Sequence, residues 1–182
     1  REAERLAEAE KRARQARAVW REAQPIGGSP AAAYLRGRGI TCPLPDTLCF
    51  HPEAWHGPTA KRHPAMVALV EGGDDFAIHR TYLAPEGTGK AGLAGGDKLM
   101  LRATAGGAVR LTDGPGALVV AEGIETGLAL ASGLLRGPAA FWAALSTSGM
   151  RGLRLPPEPG RLTIAPDGDR AGREAAHALA ER

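Results

Sequence analysis

Two stretches of the chain share one pattern: a short apolar run, an acidic residue where it ends, a glycine, and then apolar residues at helical spacing. In the first, Leu118, Val119, Val120 and Ala121 are wholly apolar, as in a strand buried on both faces of a parallel sheet. Glu122 follows at once, Gly123 lets the chain turn, and Glu125 and Thr126 open a helix that continues through Leu128, Leu130, Leu134 and Leu135. In the second, Arg161 to Ala165 reads as a strand, the turn after Pro166 carries Asp167 and Asp169, and a helix runs from about Arg173 to the end. Pro138 to Leu145 predicts the strand between them, with Ser146, Thr147 and Ser148 capping the helix that follows; the alternative is that these hydroxyls hold a phosphate or a metal-bound water at the sheet edge. Strands alternating with helices predict a parallel α/β sheet over 116–182. If the strands at 118–121 and 161–165 are neighbours, Glu122, Asp167 and Asp169 leave the sheet at one edge, where ligands collect in open α/β sheets.

The first half has a different rhythm. Arg1 to about Gln24 is dense in Ala, Glu, Arg and Lys, with a thin apolar stripe of Leu6, Ala13, Ala16, Val19 and Trp20. This predicts a charged helix over 1–24, amphipathic only near its end. It reads as a solvated linker helix; the alternative is a basic arm touching nucleic acid through Lys11, Arg12, Arg14 and Arg17. Ser29 caps a second helix that Pro30 opens, with Tyr34 and Leu35 facing inward. Strands are expected at Cys49–His51, Ala65–Val70, Phe76–Leu83, Lys98–Arg102 and Gly107–Leu111, the second and third joined by a hairpin turn at 71–75. Residues 25–115 therefore form a smaller antiparallel α+β module, hinged to the α/β part at Asp113–Gly116. The Gly-rich turn carrying Lys90 lacks the phosphate-binding P-loop pattern.

Composition changes this picture little. The 182 residues are 43% hydrophobic and carry a net charge of +3, which permits nucleic-acid binding without demanding it. Two cysteines, Cys42 and Cys49, are too few for a four-cysteine zinc site and are expected to be reduced thiols of a cytoplasmic protein. His51, His56 and His63 lack metal-ligand spacing and read as packing histidines. No run reaches the length of a membrane span. The chain starts without methionine and ends inside a helix, and is read as a fragment cut short at its C-terminus.

The carboxylates carry the chemistry. Three at one edge repel one another unless a cation lies between them, and hard oxygen ligands select Mg²⁺ or Mn²⁺. Glu122-Gly123 after one apolar strand, with Asp167-x-Asp169-x-x-Gly172 after a later one, resembles the Toprim domain of topoisomerases, bacterial and phage primases and some nucleases. The resemblance implies a Rossmann-like parallel sheet, with Glu122, Asp167 and Asp169 as a catalytic acidic site for two metal ions. Glu122 would either bind metal or act as a general base. Tyr34 to Ile40 resembles the segment preceding the polymerase core of plasmid- and phage-type primases, and His79 to Leu83 resembles the amino-terminal half of that core. By that likeness Arg80, Lys90, Lys98, Arg102 and Arg110 would line a groove for template and incoming nucleotide, with Arg151 and Arg154 as further candidate phosphate contacts. The function implied is a primase core of mobile-element type, laying RNA primers on single-stranded DNA from nucleoside triphosphates, with a replicative helicase as possible partner. A Toprim nuclease and a non-catalytic module binding DNA or a replication partner are the alternatives. A phosphatase fits less well, because its Asp-x-Asp would come early in the domain. The only tyrosines, Tyr34 and Tyr82, lie outside the α/β half, which weighs against a topoisomerase.

Overall fold

A computed structural model describes residues 1–158 and 160–182. Helix α1 (Glu2–Glu22) leads through a two-residue strand β1 (Gln24–Pro25) to helix α2 (Pro30–Gly37). Strands β2 (Leu48–His56), β3 (Lys61–Val70), β4 (Ala77–Tyr82) and β5 (Lys98–Leu101) follow. Then come β6 (Val109–Thr112), β7 (Ala117–Ala121), α3 (Ile124–Ala129), β8 (Ala139–Ala143), α4 (Thr147–Gly152), β9 (Leu162–Ala165) and α5 (Arg170–Ala180). The first five strands make an antiparallel meander in the order β1-β2-β3-β4-β5. The second sheet has the order β6-β8-β7-β9, with β7, β8 and β9 parallel.

Local chemistry sets these elements where the sequence expects them. The Ser29 hydroxyl accepts from the Ala32 amide and Pro30 begins α2. Ser146 caps α4 in the same way, through the Gly149 amide. One grouping is corrected: β6, expected within the 25–115 module, runs antiparallel to β8 and is the edge strand of the second sheet. Its alternation explains the placement, because Val109 and Leu111 are buried beside Val119, Ile124 and Phe141 while Arg110 points out. Strand β4 carries three consecutive polar residues, His79, Arg80 and Thr81, yet all six of its residues are buried. Both faces of the first sheet are covered. Ala16, Val19 and Trp20 of α1 pack on Val67 and Ile78 of the outer face, and α2 and the second sheet close the inner face. Only the end of α1 is amphipathic enough to dock; Leu6 stays 62% exposed.

The inner core is continuous. It joins Tyr34 and Leu35 of α2, Leu48, Met66 and Val70 of the first sheet, and Leu111, Val119, Leu128 and Phe141 of the second half. No helix among the described residues is long and apolar enough to cross a membrane. Leu128 is fully buried where the halves meet. Leu128→Ala is expected to cost about 2–5 kcal/mol. Followed in urea by Trp fluorescence and far-ultraviolet dichroism, the loss should appear as one shifted transition, because a shared core couples the two sheets.

Candidate functional site

Strand β7 lies between β8 and β9, with Ala121 level with Ala143 on one side and Ala165 on the other. The next residue on each strand leaves the sheet at the same edge. Glu122 is tied to both neighbours: its amide donates to the Ala165 carbonyl at 3.2 Å, and its carbonyl accepts from the Leu145 amide at 2.8 Å. Leu145 holds a left-handed backbone (φ 72°), an uncommon conformation for a branched residue and a local strain at this edge. The Glu122 carboxylate accepts from the Asp167 amide at 3.3 Å, so the two acidic loops touch directly. Asp167 is exposed, and Asp169 caps α5 by accepting from the Gly172 amide at 2.7 Å.

The two motif glycines differ in kind. A methyl group on Gly172 would stand 2.5 Å from the Asp167 carbonyl oxygen, so glycine there permits the loop to fold back on the helix. The chain bends at Gly123 between β7 and α3, as the sequence expects, but with φ −105°, and a side chain there would meet only ordinary contacts. No steric demand for glycine is found at that position.

The donor set suits a hard divalent cation: three carboxylates on two adjacent loops, and no softer ligand among them. The expected convergence is not present, however. Among the described residues no three His, Cys, Asp or Glu side chains gather into a cluster able to hold a metal. The reason is local, since Glu122 and Asp169 each direct one oxygen to a backbone amide. The donor chemistry and the shared edge suit the ion, while the side chains as placed do not close around it.

A second cluster lies just behind. Glu125, on the first turn of α3, is only 8% exposed. Its carboxylate accepts from the Tyr34 hydroxyl at 2.9 Å and pairs with the Lys98 ammonium at 3.1 Å. Burial would raise its pKa, but the Lys98 charge and the hydrogen bonds it accepts outweigh that and hold the carboxyl below its usual range. The Tyr34 hydroxyl is pushed well up by burial and by this carboxylate. His79, buried nearby, is pushed down to about 4, first by desolvation and then by the Lys98 charge. Glu125 thus joins α2, β5 and α3 at the junction of the two sheets. In the sequence it reads only as a helix-opening residue. The signal that could have found it is its spacing: three residues before Leu128, it falls on the apolar stripe rather than the solvated face.

The five expected groove cations do not share one groove. Thr81 is paired with Lys98 and Arg80 with Leu99, so Lys98 and Arg80 project to opposite faces of the first sheet. Arg80 is buried on the outer side, where it donates to the Trp55 carbonyl at 2.8 Å and lies over the Tyr82 ring. Arg102 pairs with Asp75 at 2.6 Å and donates to the Ala9 carbonyl, fastening α1 to the sheet. Arg110 lies over Trp142 on the outer edge of the second sheet. Lys90 is exposed in the turn before β5, bridged through its backbone to Leu83. Arg154 forms a fork with Asp74 at 2.7 and 2.8 Å, and Arg151 reaches Glu174 at 3.7 Å. Of the five groove residues, Lys98 alone is seen against the acidic motif's own helix.

Two family models match the chain. One, described as a Toprim domain, covers residues 117–182, and the other, described as a domain of unknown function (DUF7146), covers residues 10–111. The latter spans more than half of the chain, which therefore belongs to that family, and carries a Toprim domain in its C-terminal part. Toprim domains are found in primases and nucleases, are often catalytic and typically bind Mg²⁺. No curated protein and no solved structure matches.

The glycine geometry predicts that Gly172→Ala destabilises the protein by roughly 1–3 kcal/mol through overpacking. Gly168→Ala, in the same loop but with open space around it, should be nearly silent in the same melting experiment. The buried histidine gives a pH prediction. A folded-state pKa below the unfolded value stabilises the protein above that value, and the stability is lost as pH falls from 6.5 towards about 4. Urea titrations across that window should show a decline for the wild type and a flatter profile for His79→Gln.

Proposed function

We propose that the chain is the catalytic core of a DNA primase, making short RNA primers on single-stranded DNA by metal-dependent nucleotidyl transfer from nucleoside triphosphates. The observation that carries this reading is the contact between the two acidic loops, Glu122 Oε2 against the Asp167 amide, at the carboxyl edge of adjacent parallel strands in a Toprim sheet. Glu122, Asp167 and Asp169 would hold magnesium or manganese, which would lower the pKa of an attacking 3′-hydroxyl and neutralise charge on the triphosphate. The residues themselves supply placement. The α5 cap fixes Asp169, and exposure leaves Asp167 accessible to substrate. Glu122 is anchored through both its amide and its carbonyl, so it can serve as ligand or as general base without moving the loop. Lys98, held by the buried Glu125 three residues beyond Glu122, offers a fixed cation to a triphosphate.

A nuclease is the second reading. It is favoured by the dispersal of the expected groove cations, since Arg80 is buried and Arg102 is engaged with Asp75. Cleaving a phosphodiester needs the carboxylates and a strand, but no triphosphate site. A replicative helicase as partner belongs to the primase reading alone.

Incubating the protein with single-stranded DNA, labelled nucleoside triphosphates and Mg²⁺ or Mn²⁺ tests both. Short labelled products, lost in Asp167→Ala/Asp169→Ala, are expected. Cut DNA without labelled products would replace the primase with the nuclease.

A further inference from the structure

The second half of α1 presents a cationic face that the acidic edge does not use. Arg14, Arg17 and Arg21 are exposed and follow i, i+3, i+7 spacing, which lines them up along one side of the helix. They border a depression of about 580 Å³ whose remaining walls are Ala18, Trp20 and Phe76. No carboxylate lines it. Arg17 lies over the Phe76 ring, 4.7 Å from its centroid. The nearest acids in sequence to Phe76 are already engaged, Asp74 by Arg154 and Asp75 by Arg102. Among the described residues neither Arg17 nor Arg21 has a carboxylate partner, and Arg14 has only a distant exposed one, Glu10 at 3.7 Å. The face is also rigidly mounted. Ala16, Val19 and Trp20 pack against the first sheet, and Arg102 ties the helix to the turn after β5.

We infer that this face binds single-stranded nucleic acid, the arginines meeting successive phosphates while an unstacked base lies against the half-buried Trp20 ring and the Arg17 guanidinium that covers Phe76. Cations at helical spacing, interleaved with aromatic surface around a depression that no carboxylate lines, match a charged backbone carrying planar bases. Stacking tolerates any base, so the contact needs no sequence preference. An anionic membrane would also attract the arginines, but both rings are half-buried and expose too little apolar surface for insertion, while the part left open is enough for one base. The inference extends the primase reading by naming where template is held, and it also stands without it, since binding requires no metal.

The test is fluorescence anisotropy of a labelled 20-nucleotide oligo-dT in EDTA, with the full chain. Arg17→Ala/Arg21→Ala should weaken binding at least tenfold. It should also reduce the slope of log affinity against log salt by about 1.4, at about 0.7 for each phosphate of a single strand that is no longer neutralised. Arg5→Ala/Arg12→Ala removes the same charge from the other side of α1 and should change affinity less than about threefold. Melting curves establish that both variants are folded. Equal weakening by the two variants would reduce the effect to general charge and overturn the inference. So would wild-type protein that ignores the oligonucleotide, or that sediments with phosphatidylglycerol vesicles instead. Retained oligonucleotide binding in Asp167→Ala/Asp169→Ala, whatever becomes of primer synthesis, separates the fate of this surface from that of the acidic edge.

Discussion

The constraint on which the rest depends is the burial of β7. Five residues without a polar side chain, Ala117 to Ala121, sit between two parallel strands. Such a strand has no solvated face on which to place a polar side chain, so chemistry is displaced to its ends. Glu122 is the first polar position after it, and the pairing of β7 with β9 brings the Asp167 loop level with it. The hydrogen bond between Glu122 and the Asp167 amide is therefore a consequence of strand register. A one-residue slip would invert every side chain of β7 and separate the two acidic loops.

The junction behind that edge follows from a different rule. Burying a carboxylate is costly unless it is paired and hydrogen-bonded. Glu125 is both, and its two partners come from elements distant in the chain, α2 and β5. The arrangement favours one relative placement of the two sheets over others that an apolar interface alone would tolerate, since any other leaves a charge unpaired. The pair is also asymmetric in exposure: Glu125 is covered and Lys98 is partly open to solvent. Much of its Coulomb energy is screened on the lysine side. Specificity of placement is the larger effect.

The parallel strands of the second sheet are legible in the sequence because they are mostly apolar and end in acids, glycine or capping serines. The caps at Ser29 and Ser146 and the strand pair Leu118–Ala121 and Arg161–Ala165 lie where that grammar puts them. Three things are not legible. The partner of β6 depends on tertiary pairing, since a four-residue alternating strand fits the edge of either sheet. The face of each cation in β4 and β5 depends on register, and Arg80 and Lys98 look alike in sequence yet project oppositely. Glu125 is obscured because an acid in a first helical turn satisfies the helix dipole, so its more demanding role leaves no separate mark.

Helix α1 shows how a charged segment acquires a position. Its first half carries Glu2, Glu4, Glu8 and Glu10 against the single Arg5, and its second half carries Lys11, Arg12, Arg14, Arg17 and Arg21 against the single Glu22. Apolar residues large enough to dock occur mainly in the second half, so that half lies on the first sheet while the Leu6 region remains exposed. Packing fixes which arginines face outward, because Ala16, Val19 and Trp20 take the inward arc and Arg14, Arg17 and Arg21 lie off it. In a solvated linker helix the same spacing would line the cations up, but away from any aromatic surface. Docking instead holds three of them in line beside two aromatic rings, with the neighbouring aspartates paired elsewhere. The same apolar stripe that attaches the helix thus creates the cationic face, and the strength of that attachment sets how sharply the face is defined.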